Sequence, residues 1–474
     1  MSVRWRRADE LCADQPRADQ GSAAQPHAAR RPRADQLAAE RPAPAPPSAP
    51  SFGAFVAAAS AAGHLVVQPR MGFSDPAVMR LGLQRTKYAA ARAVGTITLD
   101  SYTRLGEHAA ARRALAAGDR LNGYPIVDHR LQDTRAMLDG IVDATFPVQV
   151  RHGSARPERI IRAVAAAGLD ATEGGPVSYC LPYGRTPLSE SIDCWARSCE
   201  LLADLVPPPR LPHVETFGGC LLGQLCPPGL LVALSLLEGL FFTQHGIASV
   251  SLSYAQQTDP VQDEHAIRAL RRLAAEFLPP EVDLHVVVYT YMGVFPASDR
   301  GARRLLEESA RLAVRAGAQR LIVKTAAESR RIPTIEENVR ALEWAGATAA
   351  AEAGPVPAPA RPVDGDAGRD DPDDAHAVYD EARAFVEAVL DLDADVGRAL
   401  LAAFGRGYLD VPYCLHPDNA GRSRSTLDGG GRLRWSAVGA MPVRPARIPG
   451  PGRPEMSSDQ LLKALRAVAD KFDH

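Results

Sequence analysis

The 474-residue chain lacks several of the motifs that identify a chemistry directly. It contains no G-x-G-x-x-G or G-x-x-x-x-G-K-[ST] loop, and its 12 histidines include no H-x-x-H or H-E-x-x-H pair. Dinucleotide binding, a phosphate-binding loop and a bound metal therefore have no support in the sequence. The 7 cysteines are odd in number and form no C-x-x-C pair, which argues against a disulfide framework and favours the reducing cytoplasm.

Long apolar runs and a net charge of one sign are also missing. No apolar run reaches about 18 residues, and the arginine-rich start has no apolar h-region, so we expect neither a membrane span nor a secretory signal. The 54 basic and 56 acidic side chains leave a formal net charge of -2. That balance does not indicate a nucleic acid or a membrane surface as a partner.

Composition divides the chain into four stretches. Residues 1–50 are a low-complexity segment in which R-A-D-Q recurs irregularly, and we predict that it is disordered. Residues 51–350 alternate β-rich runs with amphipathic helices. Residues 351–375, rich in Pro, Gly and Asp, are typical of a linker or an insertion. Residues 376–474 are predicted to form an α+β extension that ends in a helix.

The alternation between residues 51 and 350 predicts a parallel sheet, for which a closed (β/α)8 barrel of the TIM type is the natural form. Two of the predicted strands, Leu284–Tyr289 and Arg320–Val323, are nearly continuous apolar runs, as expected for strands covered on both faces. The other predicted strands are His64–Gln68, Gly95–Leu99, Pro147–Val150 and Ala248–Leu252.

Three arginines follow predicted strands: Arg70 in Q-P-R-M-G, Arg104 in D-S-Y-T-R and Arg151 in Q-V-R-H-G. The carboxyl ends of the strands form the active face of a barrel. Because a guanidinium matches a carboxylate bidentately, three at this face indicate a site for a multiply anionic small molecule. Each arginine could equally pair with a nearby carboxylate of the chain or be solvated.

Two further segments carry candidate chemistry. T-E-G-G-P-V-S-Y-C-L-P-Y holds Glu173, a candidate base or ammonium partner, with Tyr179 and Tyr183 as hydrogen-bond donors. L-I-V-K-T-A-A-E ends another predicted strand with Lys324 and Glu328, which could form a Schiff-base site, hold a ribose, or make an exposed salt bridge. A loop with a surface glutamate and packed aromatics explains the first segment equally well.

In order along the chain, the motifs V-V-Q-P-R-M-G, T-L-D-S-Y-T-R, L-N-G-Y-P, V-R-H-G, T-E-G-G-P-V-S-Y-C-L-P-Y, M-G-V-F-P, V-K-T-A-A-E-S-R-R-I-P-T and D-V-P-Y resemble the epsilon subunit of glutamate mutase (methylaspartate mutase). The resemblance runs from about residue 60 to about residue 445. It implies an adenosylcobalamin-dependent isomerase that interconverts L-glutamate and threo-3-methyl-L-aspartate by a radical mechanism.

The resemblance also implies roles for individual residues. Those expected to bind the amino dicarboxylate substrate are Arg70, Arg104, Arg151, His152, Glu173, Tyr179 and Tyr183, with Arg104 and Glu173 as the catalytic pair. Those expected to contact the cofactor are Gly72, Asn122, Pro182, Phe295, Lys324, Glu328 and Ile332. The cobalamin itself would be carried by a separate small subunit with a D-x-H-x-x-G motif, which this chain lacks. The implied assembly is a homodimer of this chain within a heterotetramer.

Two other functions remain open at this stage. One is a cobalamin-independent barrel lyase or aldolase that uses Lys324 as a Schiff base. The other is a non-catalytic subunit that only binds the small cobalamin protein. The joint presence of Arg70, Arg104, Arg151 and Glu173 argues against a degenerate scaffold.

Overall fold

A computed structural model describes residues 51–182, 184–218, 225–354, 372–444 and 457–474. The predicted segment 1–50, most of the predicted linker and Tyr183 lie outside these residues. Within them, the predicted (β/α)8 barrel with an α+β extension is confirmed. The eight barrel strands are β1 Val66–Gln68, β2 Gly95–Thr98, β3 Val148–Arg151, β4 Ala171–Gly174, β5 His213–Thr216, β6 Ser249–Ala255, β7 Asp283–Tyr289 and β8 Arg320–Ile322.

The eight strands form one parallel sheet in the order β1-β8-β7-β6-β5-β4-β3-β2. The remaining seam lies between β1 and β2. It is bridged by backbone hydrogen bonds, in which Val67 N–H donates to the Arg92 carbonyl at 2.9 Å and Thr98 N–H to the Met71 carbonyl at 2.8 Å. All the strands therefore point their carboxyl ends to the same face, where a barrel carries its functional residues.

Helices pack around the sheet and against its amino-terminal end. They are α1 Phe52–Ala61, α2 Pro76–Lys87, α3 Ser101–Leu105, α4 His108–Ala117, α5 Leu131–Leu138, α6 Glu158–Ala166, α7 Leu188–Leu205, α8 Pro228–Gln244, α9 Pro260–Phe277, α10 Asp299–Arg315 and α11 Ile335–Ala353, with a 3-10 turn at Ala326–Ser329. Helix α8 is apolar on nearly all sides, and 14 of its 17 residues are buried. The extension packs over it, which explains why this helix lacks a polar face.

Helix α1 closes the amino-terminal end of the barrel. The Phe52 ring is fully buried 5.0 Å from the His213 ring, and the Arg320 guanidinium lies over it at 5.0 Å. His213 and Arg320 are the first residues of their strands, so the phenyl ring closes the amino-terminal end of the barrel. The open face is thus the one at the carboxyl ends.

The extension contains helices α12 Pro372–Leu390, α13 Val396–Arg406 and α14 Ser458–Asp473 and a hairpin of β9 Arg424–Leu427 and β10 Leu433–Ala437. The side chain of Gln262 on α9 ties the hairpin to the barrel, donating to the Leu433 carbonyl at 3.0 Å and accepting from its N–H at 2.9 Å. Helix α11 ends at Ala353 and α12 begins at Pro372, and residues 355–371, which make up most of the predicted linker, lie outside the described residues.

The interior of the barrel is unusually polar. Gln68 Nε2 donates to Thr96 Oγ1 and to Gln149 Oε1, both at 2.8 Å, and Arg320 forms an ion pair with Glu215. Buried polar groups of this kind are stable only when they are hydrogen-bonded to one another. These side chains form a polar layer, connected by hydrogen bonds and an ion pair, beneath the carboxyl-end face. No helix among the described residues is both long and apolar enough to cross a membrane.

Candidate active site

A buried ion pair lies at the centre of the carboxyl-end face. Arg151 ends β3 and Glu173 lies on β4, and Glu173 Oε2 accepts from both Nε and Nη2 of Arg151 at 2.7 Å. The two side chains are at most 5% exposed. Arg151 Nη1 is buried with no hydrogen-bond partner among the described residues. An unpartnered buried guanidinium donor is costly, so this nitrogen is a natural contact for an anionic ligand.

Two tyrosines complete the environment of Glu173. Tyr179 Oη donates to Oε1, and Tyr289 Oη lies 3.0 Å from Oε2. Burial raises the pKa of Glu173, whereas the Arg151 charge and the two tyrosine hydrogen bonds lower it and the neighbouring Glu215 raises it further. A carboxyl held between such opposing effects can hold or release a proton, which suits a base or an ammonium partner.

His152 supplies a neutral donor beside the ion pair. Its Nδ1 accepts from the Ser154 N–H at 3.0 Å, which places the ring proton on Nε2. Nε2 is buried and has no hydrogen-bond partner among the described residues. Burial, together with the charge of Arg104, lowers the pKa of His152 to about 3, so the ring stays neutral. The ring stacks on Trp195 with the centroids 5.6 Å apart, which fixes its orientation.

Arg104 reaches the same place from the loop after β2. The short helix α3 is capped by Asp100, whose side chain accepts from the N–H groups of Tyr102 and Thr103. The Arg104 side chain packs on Gly153, where an added Cβ would lie 3.0 Å from Arg104 Cδ. Gly153 also has a φ of +70°, so glycine is required there for both reasons. Arg104 therefore lies against Gly153, close enough to His152 for its charge to act on that ring.

Arg70 lies at the edge of this cluster. Its Nη1 forms an ion pair with Glu328 at 2.6 Å and lies 3.8 Å from Met292 Sδ. Arg70 thus pairs with a carboxylate of the chain, which is one of the alternatives that the sequence left open. The ion pair joins the loop after β1 to the loop after β8, and 31% of the Arg70 side chain remains exposed.

The residues expected to contact a cofactor lie around the same rim. Lys324 is buried with its Nζ 4.4 Å from the Phe295 ring, and the Thr325 N–H donates to Glu328 at 3.1 Å. Asn122 accepts from the Ser101 N–H at 3.0 Å, and Ile332 is 53% exposed. Gly72 packs so closely that an added Cβ would lie 2.2 Å from the Thr98 carbonyl oxygen. Pro182 follows Tyr179 in the turn after β4, and Tyr183 lies outside the described residues.

Exposed apolar side chains surround this rim. They belong to the loops after β2, β7 and β8 and are Tyr102, Leu105, Val294 and Ile332, each between 37% and 57% exposed. Apolar side chains grouped around a polar centre mark a surface that another molecule covers.

The sequence reasoning missed several residues of the site. Glu215 and Arg320 form the buried ion pair below Glu173, and Tyr289 connects the two glutamates. Glu215 lies in H-V-E-T, a strand that was not predicted, and Tyr289 was read only as the end of an apolar strand. Glu238 is a lone charge in the apolar run L-S-L-L-E-G-L-F-F, which was a usable signal for a buried functional or structural carboxylate.

The fold and the site together define a class: a (β/α)8 barrel with a buried arginine–glutamate pair at the carboxyl ends of its strands. Residues 46–449 match the sequence family described as "Methylaspartate mutase E chain (MutE)". That match spans most of the chain, so the chain belongs to this family.

Relatives named "Glutamate mutase epsilon subunit" agree with the family match. The protein of Haloarcula marismortui is 32% identical over 345 residues, covering 71% of this chain and 68% of its own. That of Escherichia coli O157:H7 is 29% identical over 359 residues, covering 73% and 72%, and that of Halobacterium salinarum is 31% identical over 353 residues, covering 73% and 71%. A mutase is an isomerase, and the word "subunit" in these names implies a partner chain for those proteins.

Proposed function

We propose that this chain is the substrate-binding, catalytic subunit of a cytoplasmic adenosylcobalamin-dependent mutase that interconverts L-glutamate and threo-3-methyl-L-aspartate. The single observation that carries the proposal is the buried Arg151–Glu173 pair with unpartnered donors on Arg151 and His152 at the carboxyl-end face. The substrate has two carboxylates and one ammonium group. The site offers guanidiniums and a neutral imidazole donor for the carboxylates and one carboxylate for the ammonium.

The substrate-binding residues take the roles that the family resemblance implies, and the positions of the described ones support these roles. Arg70, Arg104 and Arg151, with His152 Nε2, hold the two substrate carboxylates, and Arg70 also pairs with Glu328. Glu173 accepts hydrogen bonds from the substrate ammonium group, or accepts its proton. Tyr179 and Tyr183 complete the set of side chains around the substrate. Because Arg151 and Glu173 are buried and fixed by their own hydrogen bonds, they hold a bound substrate rigidly and exclude water from it.

The residues on the rim fit the cofactor. Lys324 and Glu328 would hold its ribose, and Gly72, Asn122, Pro182, Phe295 and Ile332 would contact it along the loops. Adenosylcobalamin, when bound, supplies the radical that removes a substrate hydrogen. The protein's own task is to keep the substrate in one orientation, away from other hydrogen donors. A small subunit with a D-x-H-x-x-G motif would bring the cobalamin, in a heterotetramer built on a dimer of this chain.

The test is reconstitution with that small subunit, adenosylcobalamin and L-glutamate, followed by mass spectrometry for 3-methylaspartate. We expect product only when both proteins and the cofactor are present. Arg104→Met should lower product formation at least about 100-fold, because a charge-assisted contact to a carboxylate is lost, while the complex still forms on a sizing column. Arg398→Met on α13, an exposed arginine paired with Asp393, is the matched control and should be fully active.

Other outcomes would identify the alternatives. Product that needs no small subunit, together with borohydride trapping of a carbonyl compound on Lys324, would indicate a Schiff-base lyase. Partner binding without turnover of glutamate or related amino diacids would indicate a non-catalytic subunit. Either result would contradict the proposal.

A further inference from the structure

One hydroxyl group lies between two buried carboxylates in the barrel. Tyr289 Oη is 3.0 Å from Glu173 Oε2 and also contacts Glu215 Oε1. All three side chains are at most 2% exposed. A phenol has a single hydrogen, so Tyr289 can donate to only one of the two carboxylates at a time. The charge states of the two glutamates are therefore linked through this oxygen.

Each glutamate also has a guanidinium of its own. Arg151 holds Glu173, and Arg320 forms an ion pair with Oε2 of Glu215, which also accepts from Gln149 Nε2 at 3.2 Å. Arg320 Nε in turn donates to His285 Nε2 at 3.1 Å. A continuous chain of bonds thus crosses the barrel from Arg151 through Glu173, Tyr289 and Glu215 to Arg320. This series of bonds connects the site to the polar layer beneath it.

The groups around Glu173 come from four strands and one loop. They are Arg151 and His152 at the end of β3, Tyr179 after β4, Glu215 on β5 and Tyr289 on β7, with Arg320 on β8 lying beyond Glu215. His152 is neutral and contacts Glu173 only through the Tyr179 ring, 5.3 Å away. Outside the residues expected to bind the substrate, Tyr289 and Glu215 are therefore the two groups that act directly, and in opposite directions, on the charge of Glu173.

We propose that Tyr289 and Glu215 are positioning residues that act in opposite directions on the protonation of Glu173. The Tyr289 hydroxyl stabilises the Glu173 carboxylate by donating to it, while the charge of Glu215 opposes its ionisation. This inference rests on the proposed function, in which Glu173 must be ionised to hold the substrate ammonium. Its consequence is that two side chains outside the substrate contact set decide at which pH the enzyme binds its substrate.

The electrostatics of the site agree with this assignment. Among the influences on the pKa of Glu173, burial is the largest and raises it, Arg151 lowers it, Glu215 raises it, and the hydrogen bonds from Tyr179 and Tyr289 lower it. Removing the Tyr289 hydroxyl should raise the pKa of Glu173, and neutralising Glu215 should lower it. Opposite responses to two neighbouring substitutions would not arise from a general loosening of the barrel.

The direct test is carbon-13 NMR titration of the full chain labelled at the glutamate side-chain carboxyl. The Glu173 signal is identified by its loss in Glu173→Gln. Tyr289→Phe should raise the pKa of Glu173 by about one, and Glu215→Gln should lower it by a similar amount. Tyr379→Phe, which removes a tyrosine hydroxyl bonded to Glu276 outside the barrel, is the matched control and should leave the pKa unchanged. Because Tyr289→Phe removes one oxygen only, it keeps the test informative even if Glu215→Gln does not fold.

An unchanged pKa of Glu173 in Tyr289→Phe, or shifts of the two variants in the same direction, would overturn the inference. The titration needs no turnover and so separates this inference from the proposed function. Opposite pKa shifts in a protein that makes no 3-methylaspartate would contradict only the function. In the active complex, the acid limb of kcat/KM against pH should follow the same shifts, upward for Tyr289→Phe and downward for Glu215→Gln.

Discussion

At the scale of single residues, Glu238 shows how a buried charge can hold a functional loop. It lies on α8 and accepts from the N–H groups of Val177 and Ser178 at 3.0 and 2.9 Å and from Ser178 Oγ at 2.8 Å. Gly175 packs on it so closely that an added Cβ would lie 2.1 Å from Oε1. The segment that carries Tyr179 is therefore fixed by one carboxylate on the helix behind it.

Glu238→Ala should destabilise the protein by about 3 kcal/mol, because two buried N–H donors lose their acceptor. Glu238→Gln keeps one oxygen for these donors, and we expect it to cost about 1 kcal/mol or less. Urea unfolding of the two variants and the wild-type chain measures the difference. In the reconstituted enzyme, Glu238→Ala should raise KM for L-glutamate as Tyr179 loses its position. Equal stability of the alanine and glutamine variants would contradict the anchoring role.

The residues with the most usable sequence signal were those at the ends of apolar strands. Arg151 and Lys324 follow such runs, and the structure places both at the carboxyl-end face. Arg320 had no such signal, because a strand that begins with arginine is normally read as beginning at the surface. Its burial depends on Glu215, Gln68 and Ser251, which come from three other strands and are not adjacent in sequence.

At the scale of elements, the long and apolar segments were predictable, and the short polar ones were not. Strands β7 and β8 were predicted within one residue at each end, and the predicted final helix spans Ser458–Asp473. Strands β4 and β5 were missed. Their sequences, A-T-E-G and H-V-E-T, contain inward-facing polar residues that break the apolar pattern on which strand prediction depends. Because the barrel interior is polar, the strands that carry Glu173 and Glu215 lack the apolar pattern by which strands are predicted.

At the scale of the whole molecule, several buried carboxyls link stability to pH. Burial raises the pKa of Glu238 and Glu381 to about 7 and that of Asp263 to about 8, from ordinary values near 4.5 and 3.8. Between pH 6.5 and 8 these groups are ionised in the unfolded chain and still partly protonated in the folded one. The folded state then binds more protons, so stability falls as the pH rises through this window.

The buried histidines act weakly in the opposite direction in that window. Burial lowers the pKa of His213 and His285 well below 6.5 and that of His152 to about 3, so all three are neutral in the folded state, whereas the unfolded chain still binds protons on them at pH 6.5. Because the carboxyls outweigh the histidines, we expect the free energy of unfolding to fall by roughly 2 kcal/mol between pH 6.5 and 8. Urea unfolding at half-unit steps measures it. Asp263→Asn should reduce the slope, and a stability that is constant or rises with pH would contradict this prediction.

The most direct measurement of the central claim is calorimetric binding of amino diacids to the assembled complex, loaded with a cobalamin that lacks the adenosyl group so that no turnover occurs. If the site recognises two carboxylates and one ammonium, L-glutamate should bind at least about tenfold more tightly than L-glutamine, which lacks one carboxylate. L-Glutamate should also bind more tightly than 2-oxoglutarate, which lacks the ammonium group, by a similar factor. Equal affinities for the three compounds, or no binding of L-glutamate, would contradict the account.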